Sequence, residues 1–113
     1  MDGFYTAYFT GAIGSGFAVL VMREGIIIGA DATGASYDGH FILNEKLGTY
    51  DGLVTITPQP GTALVTGASV GPVPVPIPIP IRIPVGFSSE DAIRMDTPTG
   101  PVNVSFHKIR GLA

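Results

Sequence analysis

Residues 72–85 read PVPVPIPIPIRIPV and place a proline at every second position, except that Arg82 fills one of these places. A period of two is that of a β-strand, whereas polyproline II repeats every three residues and would scatter these prolines around its axis. The residue before each proline is also restricted to extended backbone angles. We therefore predict a strand with a Val/Ile face and a proline face. The alternatives are a proline-rich linker and a ligand for SH3-type domains, although the segment lacks the PxxP spacing of such ligands.

Hydrogen bonding restricts where such a strand can lie in a sheet. Alternate residues of a strand direct their N–H and C=O groups to the same edge, and proline has no N–H to donate. An interior strand of this sequence would lose about six ladder hydrogen bonds at roughly 1 kcal/mol each, which is comparable to the whole stability of a small domain, about 5–15 kcal/mol. We therefore expect the Val/Ile edge to pair and the proline edge to be left free or covered.

The composition indicates one domain that spans residues 1–113. Apolar residues make up 45% of the chain and charged residues 13%, which can fill a core and leaves apolar surface for an oligomer interface or a ligand cavity. The net charge of −3 provides no basic patch for nucleic acid. Because the chain has no cysteine, no basic N-terminal region and no apolar run of membrane-spanning length, we expect a cytoplasmic protein that binds no membrane.

Sixteen glycines, ten prolines and almost no helical periodicity indicate an all-β chain. Alternating segments predict strands over residues 4–9, 17–22, 26–31, 36–43, 47–57, 62–69, 72–85, 92–96 and 101–109. Bulges are expected near Asp51 and Gly52 and at His107 and Lys108. The connections are mostly short, which is typical of an up-and-down antiparallel meander. A meander of roughly eight strands is expected to curl into a small barrel, because closure removes its edges.

A series of aromatic and glycine motifs runs through the first half of the chain. It begins with DGFYxxxF at residues 2–9, and a glycine-rich loop and an apolar strand lead to the hairpin REG at residues 23–25. The motifs GAD at residues 29–31 and YxGxF at residues 37–41 follow. This order resembles the GrlR-like family, which is named for a negative regulator of type III secretion. The resemblance implies a small barrel of the calycin or lipocalin-like type.

The founding member of that family forms dimers and sequesters a transcriptional activator. An acidic surface loop after its Tyr-x-Gly strand is implicated in capturing the activator. The matching turn in this chain holds Asn44, Glu45 and Lys46, which amount to one acid and one base. The acidic pattern of the loop is therefore not kept at this turn.

No catalytic or metal site is expected from the polar residues. His40 lies two residues from Asp38 on a predicted strand, but no third ligand is evident for a metal ion. The serines lack any nucleophile motif, and catalysis would need a nucleophile, a base and an oxyanion hole within reach of one another. Asp31, close to Gly29, is typical of a turn. We therefore expect a protein that is not an enzyme and needs no cofactor.

The first functional hypothesis is a regulatory protein-interaction module that forms a homodimer. Several strands carry apolar residues on both faces, so that one face can fill a barrel while the other needs separate cover. Proline is already rigid, and ordering it at an interface costs little conformational entropy. The predicted interface is the proline face with its one arginine, namely Pro72, Pro74, Pro76, Pro78, Pro80, Arg82 and Pro84.

The second hypothesis is a carrier of lipocalin type that holds a small apolar ligand in the barrel interior. The alternative is that the inward side chains fill the interior themselves. The predicted lining residues are large and apolar: Tyr5, Phe9, Val19, Val21, Phe41 and Phe106.

Overall fold

The computed structural model describes residues 1–12, 14–61, 66–67, 71–73, 75–89 and 91–112. Within these residues the fold is all-β, with eight antiparallel strands in one sheet. The only helical element in the same residues is a 3₁₀ turn, Phe87–Ser89. The strands are β1 (Gly3–Thr10), β2 (Ser15–Arg23), β3 (Ile26–Asp31), β4 (Ser36–Asn44), β5 (Thr49–Thr57), β6 (Ile77–Pro84), β7 (Ile93–Thr97) and β8 (Gly100–Arg110).

The sheet curls into a barrel that is closed everywhere except between β6 and β7. Its strand order is β6-β5-β4-β3-β2-β1-β8-β7, so the first strand pairs with both the second and the last. The two edge strands, β6 and β7, lie side by side but share no ladder within the described residues. We call this gap the seam. The predicted up-and-down antiparallel barrel of about eight strands is confirmed, and it is nearly closed.

The seam lies along the proline edge of β6. This strand pairs with β5 from Ile77 opposite Ile56 to Pro84 opposite Thr49. Just beyond the strand, the Val85 amide donates to the Gly48 carbonyl at 3.1 Å, on the β5 side. Because alternate residues share an edge, the isoleucine amides of β6 also face β5, and the proline positions face the seam. The predicted pairing on one edge only is confirmed for the described part of β6.

Two predicted features differ from the structure. The predicted strand at residues 62–69 falls mostly outside the described residues, and Thr66 and Gly67, which are described, lie in a turn and a bend. The proline strand begins at Ile77 rather than at residue 72, because Ile77 pairs with Ile56 and β5 ends at Thr57, so that β5 offers no partner to the preceding residues.

The predicted bulges have different outcomes. The β4–β5 register runs without a shift past Gly52, so no bulge is present there. The β1–β8 register does shift, because Tyr5 lies opposite Lys108 and Phe4 lies opposite Arg110. The extra residue is therefore Ile109, directly after the predicted site at His107 and Lys108.

Three glycines on neighbouring strands allow the sheet to bend. Gly29, Gly39 and Gly52 occupy inward positions of β3, β4 and β5. A Cβ atom at any of the three would overlap with a backbone carbonyl of an adjacent strand, and at Gly52 this is the carbonyl of His40. A backbone obstacle cannot turn aside as a flexible side chain does. Such glycines are typical of strongly bent sheets.

Aromatic rings fill the end of the barrel where β1 begins, which we call the closed end. Phe87, only 2% exposed, enters from the 3₁₀ turn between β6 and β7. Its ring centroid lies 5.1 Å from that of Phe106, 5.4 Å from that of Tyr5 and 6.3 Å from that of Tyr50. The Tyr5 hydroxyl donates to the carbonyl of Met1 at 2.6 Å. These contacts give every ring a packed neighbour and satisfy the buried hydroxyl.

The arginine that interrupts the proline alternation links β6 to β5. Arg82 lies opposite Asp51, and its Nε and Nη2 atoms donate to the two carboxylate oxygens at 3.0 and 3.1 Å. Asn44 and Thr49 donate to the same carboxylate. Hydrogen bonds from Arg82, Asn44 and Thr49 lower the pKa of Asp51 from 3.8 to about 2. This two-pronged contact favours the observed register of the proline strand.

We expect Gly52→Ala to lower the free energy of unfolding by about 2–3 kcal/mol, because the added methyl group overlaps with backbone rather than with a side chain. Gly14→Ala is the matched control, since nothing lies within 4 Å of its Cβ position. Urea denaturation followed by circular dichroism measures both variants. Equal stability of the two variants would show that β5 can move away from β4 at little cost.

We expect Asp51→Asn to lower stability at neutral pH and to have no effect in strong acid. The pKa of Asp51 is lower in the folded chain than its ordinary value of 3.8, so the stabilisation by the carboxylate is complete well above pH 3.8 and is lost as the pH falls towards about 2. Urea midpoints of wild type and variant across this range should converge in acid. A constant difference at every pH would mean that the charge of Asp51 is not the cause.

Candidate ligand cavity

The barrel encloses a cavity of about 300 Å³ beside the aromatic rings of the closed end. This volume is at the lower limit of typical small-molecule pockets, about 300–1,000 Å³. The cavity extends to the opposite end of the barrel, where the β1–β2, β3–β4 and β7–β8 connections lie. Its lining there includes the exposed residues Ser15, Ala32 and Thr33, so the cavity reaches the surface. We call this end the open end.

The deep part of the cavity is apolar. Leu20 and Met22 of β2, Ile27 of β3, Ile83 of β6 and Phe106 of β8 line it, and all five are buried. These side chains come from strands on opposite sides of the barrel. A ligand that reached this depth would therefore contact hydrocarbon on all sides.

Small residues on β1 and β2 explain why the interior is not filled. Ala7 lies directly opposite Ala18 in the β1–β2 ladder, and both are buried and line the cavity. Gly16, the next inward-facing residue of β2 toward the open end, also lines the cavity and lies under the ring of Phe9. A side chain longer than a methyl group at these positions would occupy the cavity.

The seam borders the cavity on one side. Ile77, Ile79 and Ile81 of β6 line the cavity from one side of the seam, and Met95 of β7 lines it from the other. All four are half-buried. Since no described ladder joins these strands, no backbone hydrogen bonds between them close the cavity wall along the seam.

Asp31 is the only charged residue of the cavity lining in the part of the chain that the structure describes. Its Oδ1 atom accepts hydrogen bonds from the amide and hydroxyl of Thr33 and from the amide of Ala35, at 2.7–3.1 Å. Its Oδ2 atom accepts one from the Tyr37 hydroxyl at 2.9 Å. Burial, and then the neighbouring Asp31 carboxylate, raise the pKa of Tyr37 well above its ordinary value of 10.0. Asp31 therefore holds the β3–β4 turn in place, with Tyr37 as a neutral donor.

Three threonines form a second polar group at the open end. The Thr66 hydroxyl donates to that of Thr99 at 3.2 Å, and the hydroxyls of Thr99 and Thr97 lie 3.3 Å apart. The Thr97 hydroxyl donates to the Gly100 carbonyl at 2.6 Å. All three threonines are half-buried and line the cavity. We call them the threonine cluster.

The predicted lining residues fall into three groups. Phe9 and Phe106 line the cavity, whereas Tyr5 and Phe41 belong to the buried core but not to the cavity lining. Val19 and Val21 lie elsewhere than predicted, because the buried residues of β2 are Ala18, Leu20 and Met22, and the alternating valines point outward. The sequence prediction placed the large side chains inside. The small residues at the first positions of the other face of the same strand indicate better which face is inside.

The predicted interface residues lie on the outside of the barrel, as far as they are described. Pro72, Pro76, Pro78, Pro80 and Arg82 are exposed, Pro84 is half-buried, and Pro74 lies outside the described residues. Arg82 is paired with Asp51 of its own chain.

The turn that matches the family's acidic loop has a structural role at one position. Asn44 donates to Asp51 at 3.0 Å and accepts from the Leu47 amide at 3.1 Å. Glu45 and Lys46 are exposed.

A second apolar surface lies on the outward side of β1, β2 and β3. Phe4 lies opposite Val21, which lies opposite Ile28, and this row crosses all three strands. No charged residue occurs from Gly3 to Met22. We define this outer apolar face by its six exposed members: Phe4, Tyr8, Phe17, Val19, Ile26 and Ile28.

The part of the chain that the structure describes contains no group of three histidine or acidic residues placed to hold a metal ion. None of its helical residues form a helix long and apolar enough to cross a membrane. Comparison of the chain with protein-family models, with curated proteins and with solved structures finds no match. The GrlR-like resemblance therefore stays a prediction.

Proposed function

We propose that this protein is a carrier that holds a small apolar ligand in its barrel cavity. The observation that supports the proposal is the unfilled, mostly apolar interior of about 300 Å³, which reaches the surface at the open end. Space of this kind costs packing energy, since a filled core would gain dispersion contacts. A ligand of matching size would recover those contacts.

The cavity volume sets the size and affinity of the ligand. A volume of about 300 Å³ corresponds to roughly ten water-sized groups. Burying about ten methylene groups at about 0.8 kcal/mol each gives about 8 kcal/mol, or micromolar affinity before the entropy cost of association. We therefore expect a ligand with about ten carbon atoms and a dissociation constant of about 1–100 μM.

The seam also supports a carrier function, because it gives ligands a way to exchange. The strands β6 and β7 meet without a described ladder, so they can separate without breaking backbone hydrogen bonds between them. The proline edge of β6 also lacks the donors that would close the gap. We propose that ligands exchange through the open end and that separation of the seam widens this path.

The test is binding of the neutral fluorescent dye N-phenyl-1-naphthylamine. Wild type should bind one dye molecule with micromolar affinity. Ile79→Trp, which places an indole ring in the cavity, should weaken dye binding by at least tenfold. Ile28→Trp is the matched control, because Ile28 is 57% exposed on the outward side of β3, and it should bind the dye as wild type does.

Circular dichroism of both variants should match that of wild type. Ala7→Leu is a second blocking variant in case the tryptophan disturbs β6. The carrier proposal fails if wild type shows no saturable dye binding. It also fails if both blocking variants bind the dye as tightly as wild type.

We further propose that the protein is a homodimer that regulates another protein by binding it in the cytoplasm, as the GrlR-like resemblance implies. The outer apolar face favours this second role. Its six side chains, each about half exposed, offer on the order of 500 Å² per copy. Two copies would bury about 1,000 Å², which is near the lower limit of specific interfaces.

Analytical ultracentrifugation tests this second proposal. Wild type should sediment as a dimer, and Val19→Lys combined with Ile28→Lys should give monomers, because four charges would meet in a desolvated two-fold interface. Pro76→Lys combined with Pro78→Lys places the same charges on the proline face. If only the proline variant is monomeric, the interface is the proline face. A monomeric wild type contradicts the homodimer on either surface.

A further inference from the structure

Most hydroxyl groups that line the cavity already donate their protons to acceptors of the protein, so they cannot donate to a ligand. The proton of Thr33 and that of Tyr37 are both given to the Asp31 carboxylate. In the threonine cluster the Gly100 carbonyl can only accept, so the hydroxyl of Thr97 must be its donor. This fixes the direction of the other two hydrogen bonds: Thr66 donates to Thr99, and Thr99 donates to Thr97.

The threonine cluster therefore offers the cavity acceptor positions only. Each hydroxyl oxygen can accept two hydrogen bonds. Among the described residues, Thr99 accepts one bond, from Thr66, and Thr66 accepts none. Ser15, the remaining hydroxyl of the lining, is exposed and can bond to water. A ligand head that meets Thr66 and Thr99 must donate a hydrogen bond to them.

Charge excludes an anionic head on separate grounds. Among the described residues of the lining, the negative Asp31 is the only charged one. Residues 52–81, which include the β5–β6 connection at this end, contain no charged residue of either sign. Arg94, on β7, is an outward residue paired with Asp96 at 3.4 Å and does not line the cavity. A carboxylate head would find no cation in the lining and would lie in the same cavity as another carboxylate.

We propose that the ligand is a neutral, single-chain amphiphile whose head donates a hydrogen bond, such as a primary alcohol with about ten carbon atoms. Its chain lies toward the closed end, among Leu20, Met22 and Ile83, and its hydroxyl group donates to the threonine cluster. A cationic amine also donates, but it would have to lose its hydration in a mostly apolar cavity. This inference rests on the carrier function proposed above and adds the chemistry of the head.

Displacement of bound N-phenyl-1-naphthylamine at neutral pH tests the head group. The competitors are 1-decanol, its isomer 1-methoxynonane, decanoate and decylamine, so that the chain stays nearly constant while the head changes. Decanol should displace the dye at a concentration about threefold to tenfold lower than the ether, which has the same atoms but no O–H to donate. Decanoate and decylamine should each require a concentration more than tenfold higher than decanol.

Thr99→Val keeps the side-chain shape and removes the hydroxyl group. It should abolish the preference for decanol over the ether, expressed as the ratio of the two displacing concentrations within the same variant. Thr66→Val is the second variant and should reduce the preference in the same direction. Circular dichroism serves as the control for folding in both cases.

Several outcomes would overturn the head-group assignment. These are equal displacement by decanol and ether, displacement by decanoate or decylamine at or below the decanol concentration, and an unchanged preference in both threonine variants. If the dye binds but none of the four competitors displaces it, the amphiphile assignment fails while the carrier function stands. If the dye does not bind to wild type, both fail together.

Discussion

The missing amide hydrogens along one edge of β6 determine how this barrel can close. A barrel of eight antiparallel strands has eight interfaces between strands, and each needs donors on both sides. The proline positions of β6 supply carbonyl groups but no N–H toward β7, so a regular ladder cannot form there. The other seven interfaces carry antiparallel ladders, with one bulge between β1 and β8, and the open interface lies where proline removes the donors. The same edge offers little to a strand from another chain, which protects a nearly closed barrel from edge-to-edge association.

Because β6 pairs on one side only, other contacts must hold it in place. Ile83 is buried next to the aromatic rings of the closed end, and Arg82 donates two hydrogen bonds to Asp51 on the outside of β5. The two residues are adjacent and point in opposite directions, so one anchors the strand by packing and the other by charge. The arginine is in a position that the alternation would otherwise have given to proline. Its long side chain provides a link to β5 that a proline ring cannot provide.

The cavity results from an uneven distribution of side-chain volume along the barrel. Near the closed end, three rings pack around Phe87. Toward the open end, the inward positions of β1 and β2 carry Ala7, Ala18 and Gly16. The bend at Gly39 and Gly52 brings the opposite wall round without adding side chains to the interior. Large residues at one end and small ones at the other leave a pocket with an apolar floor and a polar rim.

Much of the fold could be predicted from the sequence, because alternation and proline chemistry act locally. The proline strand, its single paired edge and most strand bounds follow from a period of two. The cavity lining was harder to predict, since large side chains at Val19 and Val21 suggest an interior position while their small neighbour Ala18 takes it. The register of the ladders that β2 forms with β1 and β3 decides which of its faces is inside. The threonine cluster joins Thr66 to Thr99 across 33 positions of the chain, a separation that local patterns do not register.

The two proposed functions use opposite faces of the same strands. Along β2, the cavity takes Ala18, Leu20 and Met22, the outer apolar face takes Val19, and Phe17 at the open end belongs to that face and also lines the cavity. A one-residue slip in the register of β2 would exchange the two sets, so the neighbouring ladders of β1 and β3 must fix that register for either role. Both ladders are unbroken along β2, from Ser15 to Arg23 between them. Because the two sets share only Phe17 among the described residues, substitutions at the other positions of one face can probe that role while the side chains of the other face stay in place. Ligand binding and self-association are therefore compatible in one molecule.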